Sequence, residues 1–271
     1  MSPRLVIVGF GNLGQAIARG AIESGIAAPS EIGAIDPEAA QLVRAKEHGL
    51  RIADHARIGE SEVVLLAVKP QSFAEAAKSL GKIGADGPLV ISVMAGVRSN
   101  AIRDALGGAT RVVRAMPNTP AAIGRAITAV ASDADVLEED FARVEQLFTS
   151  VGKTVRVPEA LFDAVTAVSG SGPAFVFRFL EAWTAAAESL GLPEDKAAAL
   201  ARETLIGAAA LLEKTDDEPH VLRARVTSKG GTTTAGLARM DDTAARTGGI
   251  DTLMLETLRA ARDRGTELGR A

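Results

Sequence analysis

Near the start of the chain, Gly9-Phe10-Gly11-Asn12-Leu13-Gly14 carries glycine at the spacing G-x-G-x-x-G. It directly follows the apolar run Leu5–Val8 and opens a helix-like stretch, the context that a dinucleotide-binding turn requires. Gly9 would permit the tight turn, Gly11 would let a pyrophosphate approach the backbone, and Gly14 would let the helix pack close to the strand. The helix start, with Asn12 and Leu13 in its first turn, then turns free N–H groups toward the phosphates. Asp36 ends a second apolar run, where a ribose-binding carboxylate belongs. There it would accept from both ribose hydroxyls and repel a 2′-phosphate, favouring NADH over NADPH. It can equally serve as N-cap of the next helix with Pro37 at the first helical position, and the two roles are compatible.

Ala67-Val68-Lys69-Pro70 closes a third apolar run, and the carboxyl ends of such strands line the binding crevice. Ala67, Val68, Lys69 and Pro70 are therefore expected beside the cofactor, although Lys69 reads equally as a solvated loop charge. Met116-Pro117-Asn118-Thr119-Pro120 follows another strand, and its two prolines stiffen a loop that would bring Asn118 to the same crevice. Ser169-Gly170-Ser171-Gly172-Pro173 allows close backbone approach, either by a ligand or by another helix. Residues 227–234 link two helical stretches with Gly-Gly and a run of threonines. A well-capped helix would need one Thr. The amides and hydroxyls of Ser228, Gly230, Gly231, Thr232 and Thr233 suit a small carboxylate better.

The residues that are missing narrow the chemistry further. The chain has no Cys and no Tyr, and its three His (His48, His55, His220) are isolated in polar surroundings. Disulfides, thiolate nucleophiles and Cys-ligated zinc are excluded, and no metal site is expected. Reduction of a ketone leaves an alkoxide that Tyr, His or Lys usually protonates. Hydride addition to a protonated imine gives a neutral amine and needs no such acid. That reaction requires a nicotinamide, a grip on a carboxylate and a hydrogen-bond partner for nitrogen.

These groups must be held by a chain of 271 residues, 47% hydrophobic and 24% charged, with a net charge of −4. The balance leaves no basic footprint for nucleic acid. Apolar runs such as residues 63–68 and 205–212 are short for a membrane span. A strand begins within a few residues of the N-terminus, leaving no room for a signal peptide, so a cytoplasmic location is expected. Strand-like runs at residues 5–8, 32–35, 63–67, 89–94, 112–115, 127–131 and 154–157 alternate with helix-like stretches at 12–24, 37–48, 72–81, 99–106 and 137–150. That alternation predicts an α/β fold with a doubly wound, mainly parallel sheet. After Pro158 only helical patterns remain, with a stop and restart at Gly191 and Pro193. The expected division is therefore a dinucleotide-binding domain at 1–161 and an all-α domain at 162–271. Residues 197–212 are apolar on nearly every face, and a helix of that kind must be covered all round, most simply by a second copy of the chain.

Residues 9–14 with Asn12, residues 67–70, Asn118-Thr119-Pro120, residues 169–174 and above all residues 219–241 resemble the pyrroline-5-carboxylate reductases, over essentially the whole chain. Within the last stretch Pro219, Leu222, Val226, Thr227, Ser228, Gly230, Gly231, Thr233, Gly236, Leu237, Met240 and Asp241 match the family signature. The resemblance implies an N-terminal Rossmann domain, a helical C-terminal dimerisation domain, and dimers that often assemble five at a time into a decamer. It implies reduction of the cyclic imino acid 1-pyrroline-5-carboxylate to L-proline, the last step of proline biosynthesis. It also implies that residues 230–233 hold the substrate carboxylate, that the Thr233 hydroxyl bonds the ring nitrogen, and that the site lies between one subunit's nucleotide domain and helices of the dimer. Two positions depart from the family. Its usual preference for NADPH runs against Asp36, and Phe175 stands where Tyr is common, so that hydroxyl is not essential here. A β-hydroxyacid dehydrogenase would need a helical-domain Lys with Asn four residues on. Lys196, Lys214 and Lys229 are followed there by Leu200, Glu218 and Thr233. A non-catalytic NADH-sensing module would need only the first domain and leaves the threonine loop without a purpose.

Overall fold

Short runs of Val, Ile and Leu become the strands of one sheet in the computed structural model, which describes residues 3–108, 110–132, 136–244 and 248–269. In chain order the strands are β1 (Leu5–Val8), β2 (Ile32–Ile35), β3 (Arg51–Ile52), β4 (Val63–Leu66), β5 (Leu89–Ser92), β6 (Val112–Met116), β7 (Ala126–Ser132) and β8 (Gly152–Arg156). They lie side by side as β3-β2-β1-β4-β5-β6-β7-β8. Every neighbouring pair is parallel except β6–β7, so the doubly wound, mainly parallel sheet is as expected. Helices α1 (Asn12–Glu23), α2 (Ala39–Glu47), α3 (Phe73–Leu80), α4 (Ser99–Ala105) and α5 (Glu138–Thr149) come between strands.

Strand periodicity explains why both faces are covered. Ile7, Leu65 and Ile91 point to one side and pack with Ile17 of α1 and Phe148 of α5. Their neighbours Val6, Val8, Val64, Leu66 and Val90 point to the other, against Phe73 of α3 and Ile102 of α4. A strand buried on both faces reads as a continuous apolar run. The sheet reverses its winding between β1 and β4, and ligands of such sheets bind at the carboxyl ends beside that reversal.

Three details differ from the sequence expectation. Strand β3 is two exposed residues at the sheet edge, too short to leave a pattern. Strand β7 runs antiparallel because only residues 117–125 separate it from β6, whereas a parallel crossover takes a dozen or more. Helix α2 starts at Ala39 with Glu38 as its N-cap, so Asp36 does not cap it as expected.

Beyond β8 the chain is helical: α6 (Phe162–Val165), a π-helical turn at Thr166–Gly170, α7 (Gly172–Ser189), α8 (Glu194–Thr215), α9 (Pro219–Arg225), α10 (Thr232–Met240) and α11 (Gly249–Leu268). Two compact units result: Met1–Ser171 together with Ala261–Ala271, and Gly172–Ala260. In the second unit the buried side chains among the described residues are Ala197 and Ala201. Phe177, Phe179, Trp183, Leu200, Ile206 and Leu253 are at least one-third exposed. The stretch Glu159–Ser189 is long and apolar enough, by length and composition alone, to cross a membrane.

Candidate active site

The first unit builds a crevice around the glycine turn. Gly9 has φ +95°, and a Cβ there would sit 2.6 Å from the Ala67 carbonyl oxygen, so the turn after β1 and the turn after β4 close on each other. The Ala67 N–H donates to the Val8 carbonyl at 2.7 Å, continuing that closure. A Cβ on Gly14 would lie 2.4 Å from the Gly9 carbonyl oxygen, which shows why α1 needs glycine to pack this near to the strand. Around Gly11, by contrast, a Cβ would meet nothing within 4 Å. The two tight glycines hold the turn and the third leaves open space over bare backbone, the arrangement a pyrophosphate needs. Gly11 is also the N-cap of α1, with no side chain capping it, so the first amides, including those of Asn12 and Leu13, keep their free N–H groups.

Asp36 does more here than the sequence foretold. Its Oδ2 accepts the Phe10 N–H at 2.7 Å, and its Oδ1 accepts the Glu38 N–H at 2.8 Å. One carboxylate therefore ties the glycine turn to the end of β2 and keeps a further lone pair on each oxygen. Gln15 supports the same turn, its Nε2 donating to the Phe10 carbonyl at 2.8 Å and to Gln41 Oε1 at 3.1 Å. Neither contact leaves a signature in the sequence, because both depend on where β2 and α2 lie beside β1.

A cavity of about 380 Å3 opens beside the turn, lined by Asn12, Leu13, Met116, Asn118, Thr119 and Gly170 among others. The loop after β6 borders the same hollow as the start of α1. Asn118 Oδ1 accepts the Ile127 N–H at 3.1 Å and so fixes that loop to β7. Val68 is half-buried, while Lys69 and Pro70 are exposed at the start of a short 3₁₀ turn.

The second unit presents a different kind of site. Gly230 has φ +73°, and Gly231 is the N-cap of α10. A Cβ on Gly231 would lie 2.4 Å from the Ser228 Oγ and 3.2 Å from its carbonyl oxygen, so a larger residue there would turn the Ser228 side chain aside. Thr227 Oγ1 donates to the Arg223 carbonyl and Thr234 Oγ1 to the Ser228 carbonyl, each at 2.6 Å. Among the described residues the hydroxyls of Ser228, Thr232 and Thr233 have no such partner. The loop thus spends two of its hydroxyls on its own shape and leaves three without a hydrogen-bond partner among the described residues, together with the first amides of α10. No cluster of three or more metal-binding side chains occurs among the described residues.

The doubly wound sheet with a glycine turn at its switch point defines a Rossmann-type dinucleotide-binding protein that carries a separate helical unit. A family model described as pyrroline-5-carboxylate reductase dimerisation matches residues 159–268, and one described as NADP oxidoreductase, coenzyme F420-dependent, matches residues 4–96. A pyrroline-5-carboxylate reductase from Synechocystis sp. is 39% identical over 273 residues, covering 100% of each chain. One from Arabidopsis thaliana is 36% identical, covering 97% of this chain and 95% of the relative. The structure of a pyrroline-5-carboxylate reductase from Coxiella burnetii superposes with a TM-score of 0.88 at 31% identity, covering 100% of both chains. The chain belongs to the pyrroline-5-carboxylate reductase family.

Proposed function

We propose that the protein reduces 1-pyrroline-5-carboxylate to L-proline with NAD(P)H, the closing step of proline biosynthesis. The observation that carries this reading is the pair of unpartnered hydroxyls, Thr232 and Thr233, at the glycine-led start of α10. The hydroxyls of Ser228 and Thr232, the amides of Gly230 and Thr232 and the Gly231 turn that presents them hold the substrate carboxylate, as a helix N-terminus favours an anion. The Gly231 N–H itself donates to the Ser228 carbonyl at 3.0 Å. The Thr233 hydroxyl takes the ring nitrogen and is the catalytic residue. Gly9, Gly11, Asn12, Leu13, Gly14, Asp36, Ala67, Val68, Lys69, Pro70 and Asn118 hold the dinucleotide. That cofactor, when bound, supplies the hydride. The protonated C=N carbon accepts it, the π electrons become the nitrogen lone pair, and a neutral secondary amine results, so no side chain has to donate a proton at that step.

In this reading residues 1–161 serve the cofactor and residues 162–271 serve dimerisation and the substrate, a division that the match to the dimerisation family over residues 159–268 supports. The exposed apolar faces of α7 and α8 are covered in a homo-oligomer, a dimer and in turn a decamer of five dimers, which also accounts for the apolar run 159–189 without a membrane. The protein works in the cytoplasm. Asp36 makes NADH at least as good a donor as NADPH, although the matching cofactor family is described by NADP. A 2′-phosphate close to the Asp36 carboxylate would be disfavoured by about 1–3 kcal/mol at an effective dielectric near 20. The test is the fall in absorbance at 340 nm when the protein is mixed with NADH or NADPH and the cyclic imine. Imine-dependent oxidation is expected with both cofactors. No oxidation with either sinks the proposal.

A further inference from the structure

We infer that Arg114, Glu159 and Ser99 form a positioning cluster that sets one wall of the dinucleotide crevice. Arg114 lies in β6, a strand otherwise made of Val, Ala and Met, and is only 3% exposed. Its Nη1 donates to Glu159 Oε1 at 2.9 Å, and its guanidinium carbon stands 4.5 Å from the centre of the Phe162 ring. Glu159 also accepts the Ser99 N–H at 2.8 Å on Oε1 and the Ser99 Oγ at 2.5 Å on Oε2. One carboxylate thereby joins β6, the first turn of α4 and the segment that leads into α6. Burial pulls the Arg114 guanidinium down from its ordinary value, while Glu159 acts in the opposite direction. The Arg114 Nε is buried with no partner among the described residues.

Such a cluster is a costly way to fill space, since apolar side chains of similar volume often serve a buried site as well or better for stability. What the ions add is a defined position. Side chains alternate along a strand, so Arg114 and Met116 share one face of β6. The segment that Glu159 anchors to Arg114 ends at Gly170, where a Cβ would lie 3.0 Å from the Met116 methyl carbon. Between the two anchors the chain makes a π-helical turn, closed by the Ser171 N–H donating to the Thr166 carbonyl at 2.8 Å. One segment is thus anchored to β6 through Glu159 at one end and lies beside the Met116 side chain, on the same face, at the other. Met116 and Gly170 both line the cavity that holds Asn12, Leu13 and Asn118. A shift of Glu159 along β6 moves that wall. The inference rests on the reading that this cavity receives the reactive end of the nicotinamide dinucleotide. Arg114 and Glu159 then act on hydride transfer through Met116 and Gly170, as positioning residues that touch neither substrate nor cofactor.

The deciding variant is the full-length Arg114→Met/Glu159→Leu double mutant, which replaces the ion pair by apolar side chains. A role in stability alone predicts a changed melting temperature with kcat near wild type. Positioning predicts a wild-type melting temperature and cofactor Kd with kcat lowered about tenfold or more, because small misplacements of reacting groups are costly. Wild-type kcat in the folded double variant overturns the inference. If the double variant does not fold, Ser99→Ala and Gly170→Ala take its place. Each is expected to lower kcat about two- to fivefold, or about 0.4–1 kcal/mol, at unchanged cofactor Kd. Wild-type kcat in both overturns the inference equally. Fluorescence of bound NADH provides a second readout, expected to change in the variants at unchanged Kd. Should the wild-type protein bind NADH but leave the imine untouched, the substrate reading falls while the cluster is still judged by that fluorescence.

Discussion

The two compact units meet the same physical demand in opposite ways. In the first, strands with Val, Ile and Leu on both faces are covered by helices of the same unit, and side chains such as Ile7, Ile17, Leu65 and Phe148 are fully buried. In the second, Phe177 is 62% and Leu200 58% exposed, and among the described residues the buried side chains are those of Ala197 and Ala201. The lesson is that one half of this enzyme buries its apolar surface within a single chain, while the other half leaves its apolar surface exposed, as the proposed homo-oligomer would require. The dinucleotide crevice belongs to the finished half. The threonine loop belongs to the unfinished one, so substrate binding should depend on assembly where cofactor binding does not.

The strongest way to break that contrast is to charge the exposed apolar surface. Ile206→Glu with Leu253→Glu should dissociate the oligomer, since an unpaired buried charge costs about 3–5 kcal/mol, or roughly 10²–10⁴-fold in the association constant. Light scattering should then show a monomer that still binds NADH but has lost imine reduction. A double variant that remains assembled and active would mean that these faces are not the interface.

Within the loop, Thr233→Ala should lower kcat/KM by about 10–100-fold, the range for one hydrogen bond to a partly charged group. Thr233→Ser should retain most activity because the hydroxyl survives. The pH profile of kcat/KM should follow protonation of the imine, with no side-chain acid imposing its own limb. Lys69→Ala should weaken cofactor binding and leave turnover at saturating cofactor. An inactive Lys69→Ala enzyme with normal cofactor affinity would make Lys69 the proton donor and remove this mechanism.

In the crevice, Asp36→Ser should move the NADPH/NADH ratio of kcat/KM toward NADPH by about tenfold, from relief of roughly 1–3 kcal/mol of repulsion. Because Asp36 also holds the Phe10 N–H, the same change should raise the KM for NADH. A strong wild-type preference for NADPH would show that the carboxylate serves the turn alone.

The smallest effect sharpens the contrast from the other side. Arg156 donates to Glu138 and Glu145 on the surface of the finished unit and holds both carboxyls below their ordinary range. The stabilisation from such depressed carboxyls is present above their ordinary pKa and is lost as pH falls through the folded values. Exposed pairs of this kind contribute little. Arg156→Gln should leave the melting temperature at pH 7 within experimental scatter, and should converge with wild type in acid.

How much of this was legible beforehand follows from what each feature depends on. The G-x-G-x-x-G turn, the strand–helix alternation and the threonine loop are local, set by residue type at short spacing, and all were visible in the sequence. The family resemblance extended that legibility to the second unit, whose helices are plain but whose purpose is not. Asp36 was singled out for the ribose and as a cap. Its bond to Phe10 was invisible, because that bond exists only once β2 lies beside β1. Arg114 sat unremarked in an apolar run, since nothing nearby announces Glu159 as its partner. The antiparallel β7 was likewise decided by the length of its connection and by the neighbour it could reach. Residue order by itself determined most of the elements, the glycines of the two loops and the absence of Cys and Tyr. Tertiary structure alone decided which carboxylate tightens the glycine turn, which hydroxyls of the threonine loop stay free, and which buried charge fixes the crevice wall. The physical reason is that a hydrogen bond or ion pair between distant residues depends on the position of both partners, and that position is a property of the folded chain.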